Sequence, residues 1–495
     1  MPSSLWATTW YVSGTGAGAM NGKSYTNAYA GWADITMANI NAGDTLIVCG
    51  VVSHTSVMAF TRAGKAGNPI TITGVCPEEG GQTGVLDGLN TASPNVLQLS
   101  TSGYDASYVT VQHLTIRNSG QGADDNCVLV SSLGGGPGIN VFSHVTVTHC
   151  GGGNGIIFQK GSPTVQDSTI YDIGGDAVGW SAAGTNPQIL RNTIYDFSKL
   201  NMRGDGIACD ETMASGGLIQ NNTIRFTILS STKQAIICGN NGTGTVIIEG
   251  NTIIAPVATT TNHGISFVSG AGIIRKNTIT GFRGCVTTFT GAITTLDIDA
   301  NLCTNSVYVV ILSSDAGTPT YRIRNNTGMN VTNGLRAISM VASNLTHLNN
   351  LYSLTTGSTG DVLYIGTNHA YTGNNNLFYP EGATFIENYV CGGSTYNTLV
   401  AYTVACAQDA QSLASNPLLA STGEPNVGSP TRRAGVLWQG CLDALGRLCG
   451  HPPDIGAYQM GLPPANITPP AAPRGLNVTE GPLTWMTVSY RRTNP

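Results

Sequence analysis

The chain is 495 residues long, ample for a large core, yet only 10 % of it is charged, well under the ~25 % of ordinary globular domains. Lys and Arg number 22 against 27 Asp and Glu, a net charge of −5 without a basic stripe, which speaks against nucleic acid as the main partner. No apolar run of about 18 residues is present, so no segment is expected to span a membrane. Gly occupies 64 positions, which with abundant Asn and Thr suits an elongated β protein that turns every few residues.

Residues 1–50 read as an opening module and cap. The run TWYVSGTGAGAMNGKSYTNAYAGWADI predicts a short strand, a Gly-rich loop and a brief helical stretch around Ala28 to Ile35. A turn at Ala42-Gly43-Asp44 then leads into a strand from Thr45 to Cys49. Met1 is followed by neither a basic n-region nor an apolar h-region, so no signal peptide is expected. The first coils follow, with GKAGNPITITG and GQTGVLDG each reading as a turn into a short strand.

From Thr164 to Phe282 the chain repeats itself. PTVQDSTIYD, PQILRNTIYD, GLIQNNTIRF, VIIEGNTIIA and GIIRKNTITG each carry a β-branched run, a polar residue and Thr-Ile. The residue before that Thr-Ile falls at Ser168, Asn192, Asn222, Asn251 and Asn277, in steps of 24, 30, 29 and 26 residues. Looser copies at Leu114 and Val145 precede the series, and Asn301, Asn326, Asn350 and Asn376 continue it. A strand-built repeat of this period predicts an all-β solenoid, a parallel β-helix over 51–380. Stacked at one turn, the Asn side chains would hydrogen-bond along the axis and tolerate the left-handed backbone the turn needs.

A second column aligns with the first. Asp176, Asp205, Gln234 and His263 stand 29 residues apart, each opening a strand. Two and four residues later come Val178/Trp180, Ile207/Cys209, Ile236/Cys238 and Ile265/Phe267, which alternation sends inward. Ala177/Gly179, Gly206/Ala208, Ala235/Ile237 and Gly264/Ser266 are then expected to face out and leave that sheet smooth. Cys209 and Cys238 fall on neighbouring strands ~4.8 Å apart, within reach of a disulfide; an inward Cys stack can equally be apolar filler. The close pairs Cys391/Cys406 and Cys441/Cys449 read either as disulfides or as buried thiols.

The clean repeat ends near residue 380. Residues 381–458 read as a closing segment, with a short helical stretch from Thr398 to Leu413. Residues 459–495 read as a Pro-rich linker and docking tail. The opening YVSGTGAGAMNGKSYTNAYAGWADI…INAGDTLIVCG…AGKAGNPITITG and the closing GSPTRRAG…DALGRLCGHPPDIGAYQ resemble right-handed parallel β-helix proteins of the pectate-lyase-like superfold. Such segments occur in phage tail appendages of the tailspike kind and in secreted bacterial proteins. The resemblance covers roughly Leu5 to Tyr458, with Thr431 to Gly435 departing from the usual closing pattern SP-x-I-D-x-G. It implies an extracellular, virion-associated protein whose partners are a polysaccharide and other virion or surface-assembly proteins, with a homotrimer among the expected assemblies.

Asp176 and Asp205 are the candidate catalytic residues. Carboxylates on neighbouring rungs would lie ~5 Å apart, close to the separation of a retaining glycosidase pair, and one would be pushed toward protonation. Arg203, Asp210, Glu211, Gln234 and His263 are the candidate carbohydrate-binding residues around them. The set resembles the acidic clusters of polygalacturonase-type hydrolases and the calcium-binding acids of pectate lyases, although neither full motif is present. Calcium enters only through that resemblance; no cofactor is expected, and the twelve Cys show no zinc-site spacing. The plainer alternative makes Asp176, Asp205, Gln234 and His263 turn residues serving the backbone. Three functions follow: a virion appendage binding host surface polysaccharide, a polysaccharide lyase or glycoside hydrolase, or a structural adhesin or spacer.

Overall fold

The computed structural model describes residues 7–460, apart from 93–94, 132–137, 160, 181–185, 200–203, 210–215, 228–232, 241, 257–260, 290, 314–315, 339–340, 382–384 and 392–393. The β-branched runs form the expected parallel β-helix. Three sheets of fourteen strands run its length among the described residues. The first sheet starts at Thr9–Ser13 and ends at His369–Asn374, and the second runs from Val51–Ser53 to Leu377–Tyr379. The third begins at Met58–Phe60 and closes with Ile386–Asn388, to which Ser394–Tyr396 adds antiparallel.

Register explains the core. Val178 lies opposite Ile207, Ile207 opposite Ile236, and Ile236 opposite Ile265. All four are fully buried. Each turn therefore places the same apolar residue over its copy, and burial of that column is the main favourable term.

The positions expected to face outward divide into two sets. Gly179, Ala208, Ile237 and Ser266 do lie on the outer side, but Ala208 and Ser266 are buried and Ile237 is half-buried, so this face is covered rather than open. Ala177, Gly206, Ala235 and Gly264 face inward, contrary to the alternation. A Cβ on Gly206 would stand 3.0 Å from Ile224 Cγ2, and one on Gly264 would stand 2.5 Å from Ile279 Cγ2. The chain is bending from the second sheet into the third at these residues. Two successive positions then point at the core, and only small side chains fit the first.

The Asn stack forms as expected between the first and second sheets. Asn192 N–H donates to Asn222 Oδ1 at 2.9 Å, and Asn222 N–H to Asn251 Oδ1 at 2.9 Å. Each side-chain amide also reaches a strand carbonyl: Asn222 Nδ2 donates to Ile189 O at 2.9 Å and to Asn251 Oδ1 at 3.0 Å. The ladder continues through Asn277, Asn301, Asn326 and Asn350 to Asn376. Leaving such a buried amide unpaired would cost about 1–3 kcal/mol.

Both ends are closed. The helical stretch expected near Ala28 is instead a set of short 3-10 turns, Tyr25–Asn27, Trp32–Asp34 and Met37–Asn39. Gly31, at φ 125°, interrupts any longer helix, and Trp32 packs edge-on against Phe60 of the first coil. The later helix is Leu399–Cys406, capped by Thr398 and ended by a left-handed Ala407. The chain beyond it returns along the solenoid, where Gly456 N–H donates to Asn349 O and Ala457 N–H to Thr327 Oγ1.

Six disulfides are present: Cys49–Cys76, Cys127–Cys150, Cys209–Cys238, Cys285–Cys303, Cys391–Cys406 and Cys441–Cys449. No cysteine is free among the described residues. Such use of cysteine marks a protein of an oxidising, extracellular compartment. Among the described residues no helix is long and apolar enough to cross a membrane.

Candidate functional site

A second ladder runs along the bend between the second and third sheets. Asn126 Nδ2 donates to Asn95 Oδ1, and Asn126 Oδ1 accepts the Asn154 amide. Asn154 Oδ1 accepts from Asp176 N–H at 2.8 Å, Asp176 Oδ1 from Asp205 N–H at 2.7 Å, and Asp205 Oδ1 from Gln234 N–H at 2.7 Å. Each side chain thus holds the backbone amide one turn further on. Asp176 and Asp205 are brought together on successive turns, with one oxygen of each engaged in this way. The second oxygen of Asp176 lies close to the following strand, 3.2 Å from where a Cβ on Gly179 would stand. The Gln234 side-chain amide, oriented with nitrogen toward the carboxylate, donates to Asp205 Oδ1 at 2.6 Å.

His263 sits one turn beyond Gln234 but is buried rather than presented to solvent. Its Nδ1 pairs with Thr287 Oγ1 at 2.9 Å. Burial, with the nearby positive charge of Arg283, lowers its pKa to about 4, so at neutral pH it is uncharged. Lys233 is also buried, donating from Nζ to Ser198 O at 2.6 Å. Burial pulls its pKa down against the attraction of Asp205. Arg203, Asp210 and Glu211 lie outside the described residues.

The same bend carries features that the repeat pattern left unread. A cavity of about 210 Å³ is lined by Asn90, Gln121, His149, Cys150, Gly151, Asp172, Gly174 and Lys199, and Gly174 stands two residues before Asp176. Asp172 is held by His149 Nε2 at 3.1 Å and by Lys199 Nζ, which also meets Asp196 at 2.8 Å. Burial alone would lower the Lys199 pKa, but Asp172 and Asp196 raise it. Tyr171 and Tyr195 stack beside this pocket at 4.9 Å and 8°. The residues were visible as IYD and FSK runs, but their meeting depends on register between turns.

Among the described residues no three His, Cys, Asp or Glu side chains gather closely enough to hold a metal ion.

No protein-family model matches the chain, and no curated protein matches it in sequence. Solved structures do match, and they place it in a class by fold. The complex of XylC with xylose superposes with a TM-score of 0.53 at 10 % identity, over 92 % of this chain and 98 % of that one. Pectate lyase Pel9A gives 0.42 at 14 % identity, over 91 % and 96 %. The Dettilon tailspike protein gives 0.41 at 13 %, over 67 % and 64 %. The chain has a parallel β-helix fold, and at these identities the likeness is one of fold alone.

Proposed function

We propose that the protein is an extracellular β-helix that holds an extended polysaccharide along the bend containing Asp176 and Asp205, as a tailspike-like virion appendage on a host surface glycan. One observation carries the reading. In a chain so poor in charge, two carboxylates stack on successive turns beside a pocket of Asp172, His149 and Lys199. Carboxylate oxygens accept from sugar hydroxyls, and a stacked tyrosine pair offers an apolar edge of the kind sugar rings pack against. Six disulfides support the extracellular setting, and the opening and closing segments support the virion one. Its partners there are other virion or surface-assembly proteins. Arg203, Asp210 and Glu211, which lie outside the described residues, are further candidate binding residues by sequence.

The placement of two carboxylates on successive turns, Asp176 Oδ1 accepting from Asp205 N–H, supports a second, hydrolytic reading. One carboxyl would protonate the leaving oxygen while the other acts as nucleophile or base. The test is incubation with a panel of bacterial capsular and exopolysaccharides, following binding, reducing ends and the absorbance of unsaturated uronates. Binding to at least one glycan is expected. If cleavage accompanies it, Asp176→Asn and Asp205→Asn should each abolish turnover with the fold intact. Cleavage retained in both variants moves the chemistry elsewhere. No binding to any glycan by the intact protein rejects the proposal and leaves a structural spacer.

A further inference from the structure

A second concentration of charge lies on another face, the outer side of the first sheet. Register stacks Glu249, Arg275, Asp299 and Arg324 in one column. Asp297 and Arg322 stand beside the last two, and Lys276 follows Arg275. Signs alternate turn by turn, and neighbours pair. Arg275 Nε and Nη2 donate to Glu249 Oε2 at 3.1 and 2.8 Å, and Lys276 Nζ to Glu249 Oε1 at 2.5 Å. Arg322 Nε and Nη2 reach Asp297 at 2.6 and 3.2 Å, while Arg324 grips Asp299 with two bonds of 2.8 Å. Three carboxylates therefore face four cations, one positive charge in excess on a chain of net charge −5.

This patch has a roof. The returning chain carries Trp438 over Arg324, with the guanidinium carbon 3.8 Å from the indole centroid. The roof is fastened: Val436 N–H donates to Asn349 Oδ1 at 2.8 Å, Asn349 Nδ2 to Val436 O at 2.8 Å, and Cys441 is bonded to Cys449. Beneath it lies a cavity of about 410 Å³ lined by the charged side chains from Arg275 to Arg324, with Trp438, Gln439 and Gly440 but without Glu249. That volume falls within the ~300–1,000 Å³ of sites that take small organic ligands.

The pairing leaves a defined set of donors. Arg275 and Arg322 spend Nε and Nη2 on their carboxylates, and neither Nη1 has a protein partner among the described residues. Both guanidiniums are about a third exposed, against 12 % for Arg324 under the indole. A guanidinium edge fixed by a carboxylate behind it is pre-organised for a second oxyanion in front. The intervening Asp297 would repel a ligand of dense negative charge, yet accepts readily from hydroxyls. A sugar with one acidic group among its hydroxyls complements that alternation better than a polyphosphate does.

We propose that this groove is a second ligand site, separate from the bend of Asp176 and Asp205, and that it takes an anionic saccharide. The acidic group sits against the Nη1 edge of Arg322, with Arg275 two turns away along the groove, and the sugar ring lies under the rim formed by Trp438 and Gln439. Carboxylate and sulfate share this chemistry, so the probes separate them. The full chain is titrated calorimetrically with a hyaluronan tetrasaccharide, its methyl ester, and a keratan sulfate tetrasaccharide, which carries sulfate without uronate. Binding to the uronate or the sulfated probe is expected, with at least a tenfold loss on esterification of the uronate if that is the one bound. Arg322→Gln and Trp438→Ala should each weaken binding at least tenfold. Arg322→Lys keeps the charge and a pairing to Asp297 but loses the fork, and should weaken it severalfold without unfolding the chain. Asp205→Asn should leave it unchanged, which keeps this site distinguishable from the one at the bend. Failure to bind any of the three probes overturns the proposal, as does binding that Arg322→Lys and Trp438→Ala leave intact.

Discussion

The two ladders answer one demand with different chemistry. Each must supply an acceptor to one backbone amide per turn where the chain changes sheets. Between the first and second sheets the acceptor is Asn at every turn from Asn192 to Asn376, and the side chains are buried. Between the second and third sheets it is Asn at Asn126 and Asn154, then Asp at Asp176 and Asp205. The buried ladder has no freedom, because its second side-chain atom must donate to a strand carbonyl, as Asn222 Nδ2 does to Ile189 O. The second ladder lies at a half-buried bend, where its acceptor need not also donate to a strand carbonyl and a carboxylate is tolerated. A position that has to hold an amide, but not to be Asn, is one where a fold can acquire chemistry.

Four experiments would break or sharpen that comparison. Asn222→Ala should cost the most, about 3–5 kcal/mol, since it strands the Asn192 N–H and the Ile189 carbonyl in the interior. Asp205→Ala should cost less than half as much; equal losses in denaturant melts would show that the ladders are equivalent. Ile236→Ala, in the third sheet two residues after Gln234, sets the scale of the core at about 2–5 kcal/mol. An unchanged melting temperature there would mean the inward column carries little of the stability.

The third experiment is a pH series on His263, the buried neighbour of Gln234. Its pKa falls to about 4 in the folded chain, from about 6.5 when unfolded. The folded state thus binds fewer protons between those values, so stability rises with pH across the window and is lost as pH drops from about 6.5 toward 4. His347, lowered to about 3 by burial, acts in the same direction. Asp299, raised to about 6 by burial against the pull of Arg324, acts in the opposite one. His263→Gln should therefore flatten the wild-type profile by up to roughly 2–3 kcal/mol; identical profiles would show that His263 titrates normally. The smallest effect belongs to Asp205→Asn, which keeps an acceptor for Gln234 N–H and should change stability by less than about 1 kcal/mol. A larger loss would mean that the carboxylate charge itself, through Gln234 or Lys233, holds the bend.

Much of this architecture was written in one dimension. A solenoid asks the same thing of every turn, so Asn-Thr-Ile and the inward isoleucines repeat at a readable interval, and fold, ladder and core column follow from spacing. The Asp176 and Asp205 stack was legible for the same reason. Local alternation failed at Ala177, Gly206, Ala235 and Gly264, because a bend, not a flat strand, decides where those residues point. The charges of VIIEG, IIRK, LDID and YRIR stand on four successive repeats, but their spacing alone gives them no common role. What made a groove of them was Trp438, which stands over Arg324 only because the chain reverses after Leu399–Cys406 and is fastened to Asn349. Contacts between turns recur with the repeat and can be read along the chain. Contacts made by a returning segment cross more than a hundred residues once, without repetition, and only tertiary packing decides them.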